Sequence, residues 1–286
     1  MRVFCRPEMS ASTESFSPSS SKPQWVVQDW LNDPLIHCEI CSFPPATRAQ
    51  ICSVHDEDYV DGVLSGRYDN GFGSNDPDIA ASLPFTVGSM IAAAQWAVRQ
   101  REVVCSPTSG FHHAGYDFGA GYCTFNALVV AAMVLKKQGL VQKVGIIDAD
   151  RHWGDGTDQL IRHHGLRGWI VHRSQGKFFN SLQDCANGRF SKWLNKAISD
   201  CSNCDLVIYQ AGADPHRNDP MGGLQSSEEM AQRDRTVFEK LGHLPLVFTL
   251  AGGYQVGKGK TEAQRLEPVL ALHRQTARIH TQLFPA

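Results

Sequence analysis

The sequence predicts an α/β fold of three layers, with helices covering both faces of a central, mostly parallel sheet. Three observations carry this. Apolar runs of strand length, Val144–Asp148, Leu206–Gln210 and Leu246–Leu250 among them, alternate with longer helical patterns. The runs are apolar throughout rather than at every second residue, as strands buried on both faces are. The chain of 286 residues is 42% hydrophobic, with no internal repeat and no break in composition, so it can bury one sizeable core. Residues 1–286 therefore read as a single domain.

The elements follow in order. Met1–Cys5 reads as a first strand, and the Ser- and Pro-rich stretch Ser10–Lys22 as a loop. Cys38 and Ile40 would share one face of a short strand. Ile79–Gln100 carries an alanine-rich helical pattern, followed by a strand at Val103–Cys105. Phe125–Lys137 is apolar nearly all round, as a buried helix is. The strand Val144–Asp148 leads to a helix opened by Asp155-Gly-Thr-Asp158, with Asp155 or Thr157 to cap it. Trp169–His172, Leu206–Gln210 and Leu246–Leu250 are further strands, surrounded by helices at Lys192–Asp200, Ser226–Leu241 and Leu266–Leu283.

Composition narrows the function. Lys+Arg 27 against Asp+Glu 29 leaves no basic block for a nucleic acid and no acidic tail. No run approaches the length of a membrane span, and Met1–Pro7 lacks the apolar core of a secretion signal. Nine cysteines then read as reduced thiols of a cytoplasmic protein. The pairs Cys38/Cys41 and Cys201/Cys204 stand much farther apart than the roughly 15–20 residues of a zinc ribbon, and read as packed thiols.

Chemistry-bearing residues collect where the strands end, the place where open α/β sheets bind ligands. His112-His113 follows the strand at Val103, and Asp148-x-Asp150-x-His152 ends the strand at Val144. Gly212-Ala-Asp214 ends the strand at Leu206, and Gly252-Gly-Tyr254 the one at Leu246. On a continued strand, Asp148, Asp150 and His152 would share one face within reach of a single ion. Mixed oxygen and nitrogen donors suit a divalent metal such as zinc.

With Val54-His55-Asp-Glu-Asp-Tyr59 and Gly121-Tyr-Cys-Thr-Phe-Asn126, these motifs occur in one order from Val54 to Tyr254. In that order the chain resembles the histone deacetylase superfamily, metal-dependent amidohydrolases of arginase-like fold, and within it the prokaryotic-type deacetylase-like enzymes. The resemblance implies that Asp150, His152 and Asp214 hold one zinc ion, with iron(II) or cobalt(II) as alternatives. It implies that His112 and His113 are the general base and acid, that Asp148 and Asp155 respectively buttress them, and that Tyr254 donates to the oxyanion. Gly121 and Tyr122, the latter where the family usually has phenylalanine, would line the acyl-amine tunnel, and Asp69 in the Gly66–Asp76 loop would grip the substrate backbone. The chemistry is coherent. Amide hydrolysis needs a nucleophilic water, which bound zinc supplies by lowering the water's pKa toward about 7. It needs a proton acceptor and a donor to the leaving amine, which paired imidazoles provide. A carboxylate on each imidazole fixes its tautomer, and a hydroxyl at the developing oxyanion lowers the barrier.

The sequence departs from the pattern at Arg151 and Trp153, which flank His152, and at His172, which takes the place of a serine that binds structural potassium in eukaryotic relatives. That leaves the potassium ion open. An arginase-type ureohydrolase would need further carboxylates beside His152 and Asp214, where Trp153-Gly154 and Pro215-His216 stand. A non-catalytic acyl-lysine-binding module would lack a catalytic group, and none is missing. An acyl-lysine substrate ranks first, an acetylpolyamine or other small amide second. His55, His163, His164, His216 and His280 read as packing or surface histidines, and assembly with further copies of the chain is left open.

Overall fold

A seven-stranded sheet, parallel at every pairing, organises the chain. The computed structural model describes residues 1–12 and 15–285; Thr13 and Glu14, inside the expected Ser10–Lys22 loop, and Ala286 lie outside the described residues. The strands are β1 (Arg2–Phe4), β2 (Glu39–Cys41), β3 (Val103–Ser106), β4 (Val144–Asp148), β5 (Ile170–Ser174), β6 (Leu206–Gly212) and β7 (Leu246–Ala251). Their spatial order is β2-β1-β3-β7-β6-β4-β5. The helices are α1 (Lys22–Asn32), α2 (Arg48–Ile51), α3 (Glu57–Leu64), α4 (Pro77–Gln100), α5 (Ala127–Lys137), α6 (Asp155–His163), α7 (Leu182–Cys185), α8 (Arg189–Cys201), α9 (Ser227–Leu241) and α10 (Glu262–Leu283).

The two-residue period of the strands divides the core in two. Val104, Ile146, Ile208 and Val247 point to one face, where α4, α5 and α6 cover them. Ile147, Val207, Tyr209 and Phe248 point to the other, under α1, α8, α9 and α10. Each such large side chain contributes about 1.5–3 kcal/mol on burial. The expected strands and helices are all present, with ends shifted by a few residues, and the sheet is wholly rather than mostly parallel. In register, Asp148 lies opposite Gln210 on β6 and Ser174 on β5, which brings three polar residues together at one carboxyl edge.

Several expectations are corrected. The stretch ending at Lys22 is not wholly loop, because Lys22 already opens α1. Helix α6 is capped by neither Asp155 nor Thr157; Gly154 stands at its N-cap without a side-chain bond. Asp155 is taken by His113, and Thr157 receives the Asn126 amide at 2.9 Å. Cys38 precedes β2, which begins at Glu39, and Ile40 in it is exposed. One helix does reach the length of a membrane span: α4 has 24 residues and a best-window mean hydropathy of 1.2, but 61% of that window is buried inside the protein. All nine cysteines are free, and Cys201 and Cys204 pack against Gly145.

Candidate active site

Beyond Asp148 the chain leaves the strand. The Asp150 amide donates to Asp148 Oδ1 at 3.2 Å and the His152 amide to Asp150 Oδ1 at 2.8 Å, two successive side-chain turns that curl the backbone. The expectation that Asp148, Asp150 and His152 share one ion is thereby corrected. The ligand atoms that converge belong to Asp150, His152 and Asp214, all within 4.8 Å of one another. His152 Nδ1 lies 3.1 Å from Asp150 Oδ1 and 3.0 Å from Asp214 Oδ2. Asp214, just past β6, receives the Arg151 amide on Oδ1 at 3.0 Å. Gly252, at φ 48°, closes over it: a Cβ there would stand 2.1 Å from Asp214 Cγ.

Both carboxylates are buried, and although His152 Nδ1 stands 3.0 Å from Asp214 Oδ2, the geometry leaves that oxygen without a hydrogen bond. Burial, then the charge of Asp150, pushes the Asp214 carboxyl up to about 7. Two buried carboxylates around one imidazole are unfavourable unless a cation is shared between them. The donor set of oxygens and one ring nitrogen fits zinc, and fits iron(II) or cobalt(II) as well.

The twin histidines follow β3 and turn to different carboxylates. His112 Nδ1 donates to Asp148 Oδ2 at 2.9 Å, and His113 Nδ1 to Asp155 Oδ1 at 2.6 Å. Carboxylates only accept, so each Nδ1 carries the proton and each Nε2 is left for chemistry. The two rings lie 4.2 Å apart, and His112 Nε2 is 3.7 Å from Asp150 Oδ1. Burial pushes the His112 imidazole down, while the uncompensated charges of Asp148 and Asp150 outweigh it and raise it to about 9; a cation held by Asp150 would offset that pull and leave Nε2 able to accept.

Asp148 is saturated by protein donors. Oδ2 accepts from His112 and from Ser174 Oγ at 3.0 Å, and Oδ1 from Gln210 Nε2 at 2.9 Å and from the Asp150 amide. The buried His172 ring completes the shell, its Nε2 3.8 Å from Asp148 Oδ2 and its Nδ1 2.7 Å from Asp158 Oδ1. Both carboxylate oxygens of Asp148 are thus engaged by protein donors, which leaves only backbone carbonyls to supply an alkali-ion site here. The other departures are also accounted for. The Arg151 side chain turns to the carbonyls of Phe179, Asn180 and Gly222, and Trp153 Nε1 donates to Asp158.

Tyr254 follows the Gly252-Gly253 turn and lies 6.4 Å from the His152 ring, 6.0 Å from the Tyr122 ring and 5.8 Å from a stacked Phe16. Burial, then the charges of Asp214 and Asp150, pushes its hydroxyl up, so it stays a donor. Gly121 and Tyr122 both adopt positive φ, 53° and 63°. A Cβ at Gly121 would meet His113 Cδ2 at 2.5 Å, so glycine answers both the φ and the close approach. The strained Tyr122 is held by its amide on the Gly71 carbonyl at 2.9 Å, with Phe72 edge-on to its ring. Asp69 is the remaining residue expected to contact substrate. It is exposed and lines a cavity of about 390 Å³ with Asp117 and Phe118, next to Gly119 and Ala120.

Sequence reasoning missed several supports. Lys22 is fully buried, and its Nζ donates to Ser109 Oγ at 3.1 Å and to the Gly252 carbonyl, tying α1 to the tyrosine turn. Burial pushes its ammonium down to about 8. Asp219 Oδ2 accepts the Tyr254 amide at 2.7 Å, and His216 Nδ1 accepts from Gln255 at 3.1 Å. The sequence hinted at two of these, through His216 close to Asp214 and through the turn signal Asn218-Asp219-Pro220.

Two imidazole–carboxylate dyads thus stand beside a metal-competent cluster at the carboxyl edge of a parallel sheet, an arrangement able to move protons next to a bound ion. The chain belongs to the histone deacetylase domain family, whose model matches residues 18–185 and 183–267. It is 28% identical over 231 residues to an uncharacterized protein of Picosynechococcus, covering 72% of this chain and 76% of that one. It is 27% identical to histone deacetylase 2 of Arabidopsis thaliana, over 63% of this chain and 51% of that one. To acetylpolyamine amidohydrolase 1 of Pseudomonas aeruginosa it is 28% identical, over 55% and 52%. The chain thus spans about half the length of these two named relatives. The fold matches the crystal structure of the HDA15 HD domain at a TM-score of 0.76 and 20% identity, covering 100% of this chain and 90% of that one. It matches acetylpolyamine aminohydrolase of Burkholderia pseudomallei at 0.72 and 15%, covering 100% and 99%.

Proposed function

We propose that the protein is a zinc-dependent amidohydrolase that removes an acetyl or other acyl group from an amine, with acyl-lysine the favoured substrate. The observation that carries this is the convergence of Asp150, His152 and Asp214 next to two separate imidazole–carboxylate dyads. Bound there, the metal would supply an acidified water and polarise the amide carbonyl.

The chain's own groups account for the rest. His112, locked by Asp148 inside the protein, holds its Nε2 toward the ligand cluster as a proton acceptor. His113, partly reached by solvent and held by Asp155, takes a second proton from solvent on Nε2 and delivers it from there to the leaving amine. The Tyr254 hydroxyl, on a ring 6.4 Å from that of His152, donates to the oxyanion. Tyr122 and Tyr254, with Phe16 and Phe72 behind them, offer aromatic faces suited to an extended alkyl chain and favour acyl-lysine over a polycationic amine. With its nine cysteines unpaired, we place the protein in the reducing cytoplasm.

The test is a screen of zinc-loaded protein on acetyl-lysine peptides, longer acyl-lysines and acetylpolyamines, with elemental analysis of wild type and Asp214→Ala. We expect one metal ion per wild-type chain, its loss in the variant, and highest kcat/KM on acyl-lysine. Two tightly bound ions, or full retention of metal by Asp214→Ala, would sink the single-site reading. A preference for acetylpolyamines would overturn the substrate class alone.

A further inference from the structure

We propose that Arg233, a residue of α9 that contacts no ligand or acid–base side chain, sets the metal affinity of the site by pinning the two strand ends that carry Asp150 and Asp214. This rests on the metal-site reading above.

The guanidinium is buried, with 1% of the side chain exposed. Its Nη1 donates to the Ala149 carbonyl at 3.2 Å and to the Gly212 carbonyl at 3.0 Å. Ala149 immediately precedes Asp150, and Gly212 is two residues before Asp214. Between β4 and β6, the Ala149 amide still bonds the Gln210 carbonyl at 3.0 Å. At Gly212 the chains press together: a Cβ there would stand 2.6 Å from the Ala149 carbonyl oxygen and 2.7 Å from Asp150 Cα. One planar donor group therefore spans the two backbones at the point where each sends out a ligand, and it fixes their separation in a way a flexible ammonium cannot.

The guanidinium is itself held. Nε donates to Asp234 Oδ1 at 2.8 Å, and Asp234 also accepts from Tyr209 Oη on β6 and from Thr276 Oγ1 on α10 at 2.6 Å. The Arg233–Asp234 pair is neutral as a unit, so its influence on the metal site is geometric. A buried ion pair is also a poor device for stability, since apolar side chains of similar volume commonly do as well or better. Two carbonyls fixed beside two ligands give the pair a different use.

The experiment measures the zinc dissociation constant by competition with a chromophoric chelator, and the Tm of the metal-free protein. It compares wild type, Arg233→Met, Arg233→Lys, Asp234→Asn and a remote core truncation, Met90→Ala, which serves as a stability control. Outer partners of metal ligands typically control about 10–100-fold in affinity, and we expect Arg233→Met to weaken zinc by that order. Arg233→Lys should recover part of the loss, Asp234→Asn should fall between wild type and Arg233→Met, and Met90→Ala should bind as wild type despite its lower Tm. A zinc dissociation constant for Arg233→Met within about twofold of wild type overturns the inference, as does an equal loss in Met90→Ala. If Arg233→Met does not fold, Arg233→Lys decides: unchanged affinity overturns the inference, weakened affinity supports it. Wild-type protein that fails to bind zinc overturns the metal-site reading and this inference with it, whereas tight wild-type binding with an unchanged variant overturns this inference alone.

Discussion

His112 and His113 are neighbours in sequence, but they reach different carboxylates and different degrees of solvent contact. That divergence lets two identical side chains divide the proton traffic. Deleting His113 removes the donor to the leaving amine, and general acid–base groups contribute about 10²–10⁴-fold. Removing the Tyr254 hydroxyl costs one oxyanion donor, about 10²–10³-fold. His113→Ala should therefore lower kcat by at least as much as Tyr254→Phe, with metal content unchanged in both and KM little changed in Tyr254→Phe. Steady-state kinetics on the best acyl-amide substrate decide this. Intact kcat in Tyr254→Phe would reduce Gly252-Gly253-Tyr254 to a turn with a packed aromatic.

Among the elements, α5 depends on a histidine from a distant segment. His55 Nδ1 donates to the Gly115 carbonyl at 2.7 Å, and its Nε2 accepts the Asn126 amide at 2.8 Å. Asn126 caps α5 through the Val129 amide and reaches Thr157 on α6. The ring must be neutral to accept, and burial pushes its pKa down to about 4. The folded value lies below the unfolded one of about 6.5, so the unfolded chain binds the extra proton between them. The His55 contribution is complete above about pH 6.5 and is lost as pH falls toward about 4, by roughly 3 kcal/mol in all. Denaturant unfolding at pH 7 and pH 4.5 should show a smaller acid loss in His55→Gln than in wild type. An equal loss in both would mean that the His55 ring does not carry this acid sensitivity.

At the scale of the whole molecule, the two cation sites that the family resemblance raises should behave oppositely. The Asp150/His152/Asp214 cluster should bind zinc; a ligand at about a hundred times its dissociation constant adds about 2.7 kcal/mol, and in a chain of this size each kcal/mol is worth about 2–4 °C of Tm. Chelation should lower Tm accordingly, and zinc should restore it. Asp148 is already saturated by His112, Ser174, Gln210 and the Asp150 amide, with His172 against it. Replacing potassium with sodium at constant ionic strength should leave Tm unchanged. A potassium-specific rise of several degrees would show an alkali site supplied by backbone carbonyls instead.

Sequence alone determined the alternation of strand and helix, because strands buried on both faces must be apolar throughout and the helices must cover them. It also placed His112-His113, Asp150-x-His152, Asp214 and Tyr254 at strand ends, since each motif follows its apolar run, the twin histidines after a short loop. Tertiary structure decided what those motifs do to one another. It took Asp148 out of the ion's reach, because two side-chain turns bend the chain at Asp150. It brought in Asp214 from the neighbouring strand, and it recruited Lys22, Asp219 and Arg233 as supports. Lys22 and Arg233 leave no local mark, because a buried lysine or arginine looks in sequence like any surface charge, and Asp219 shows only as part of a turn. Their partners are backbone carbonyls and amides far along the chain, and only the packing of α1 and α9 against the carboxyl edge of the sheet brings them within hydrogen-bond distance.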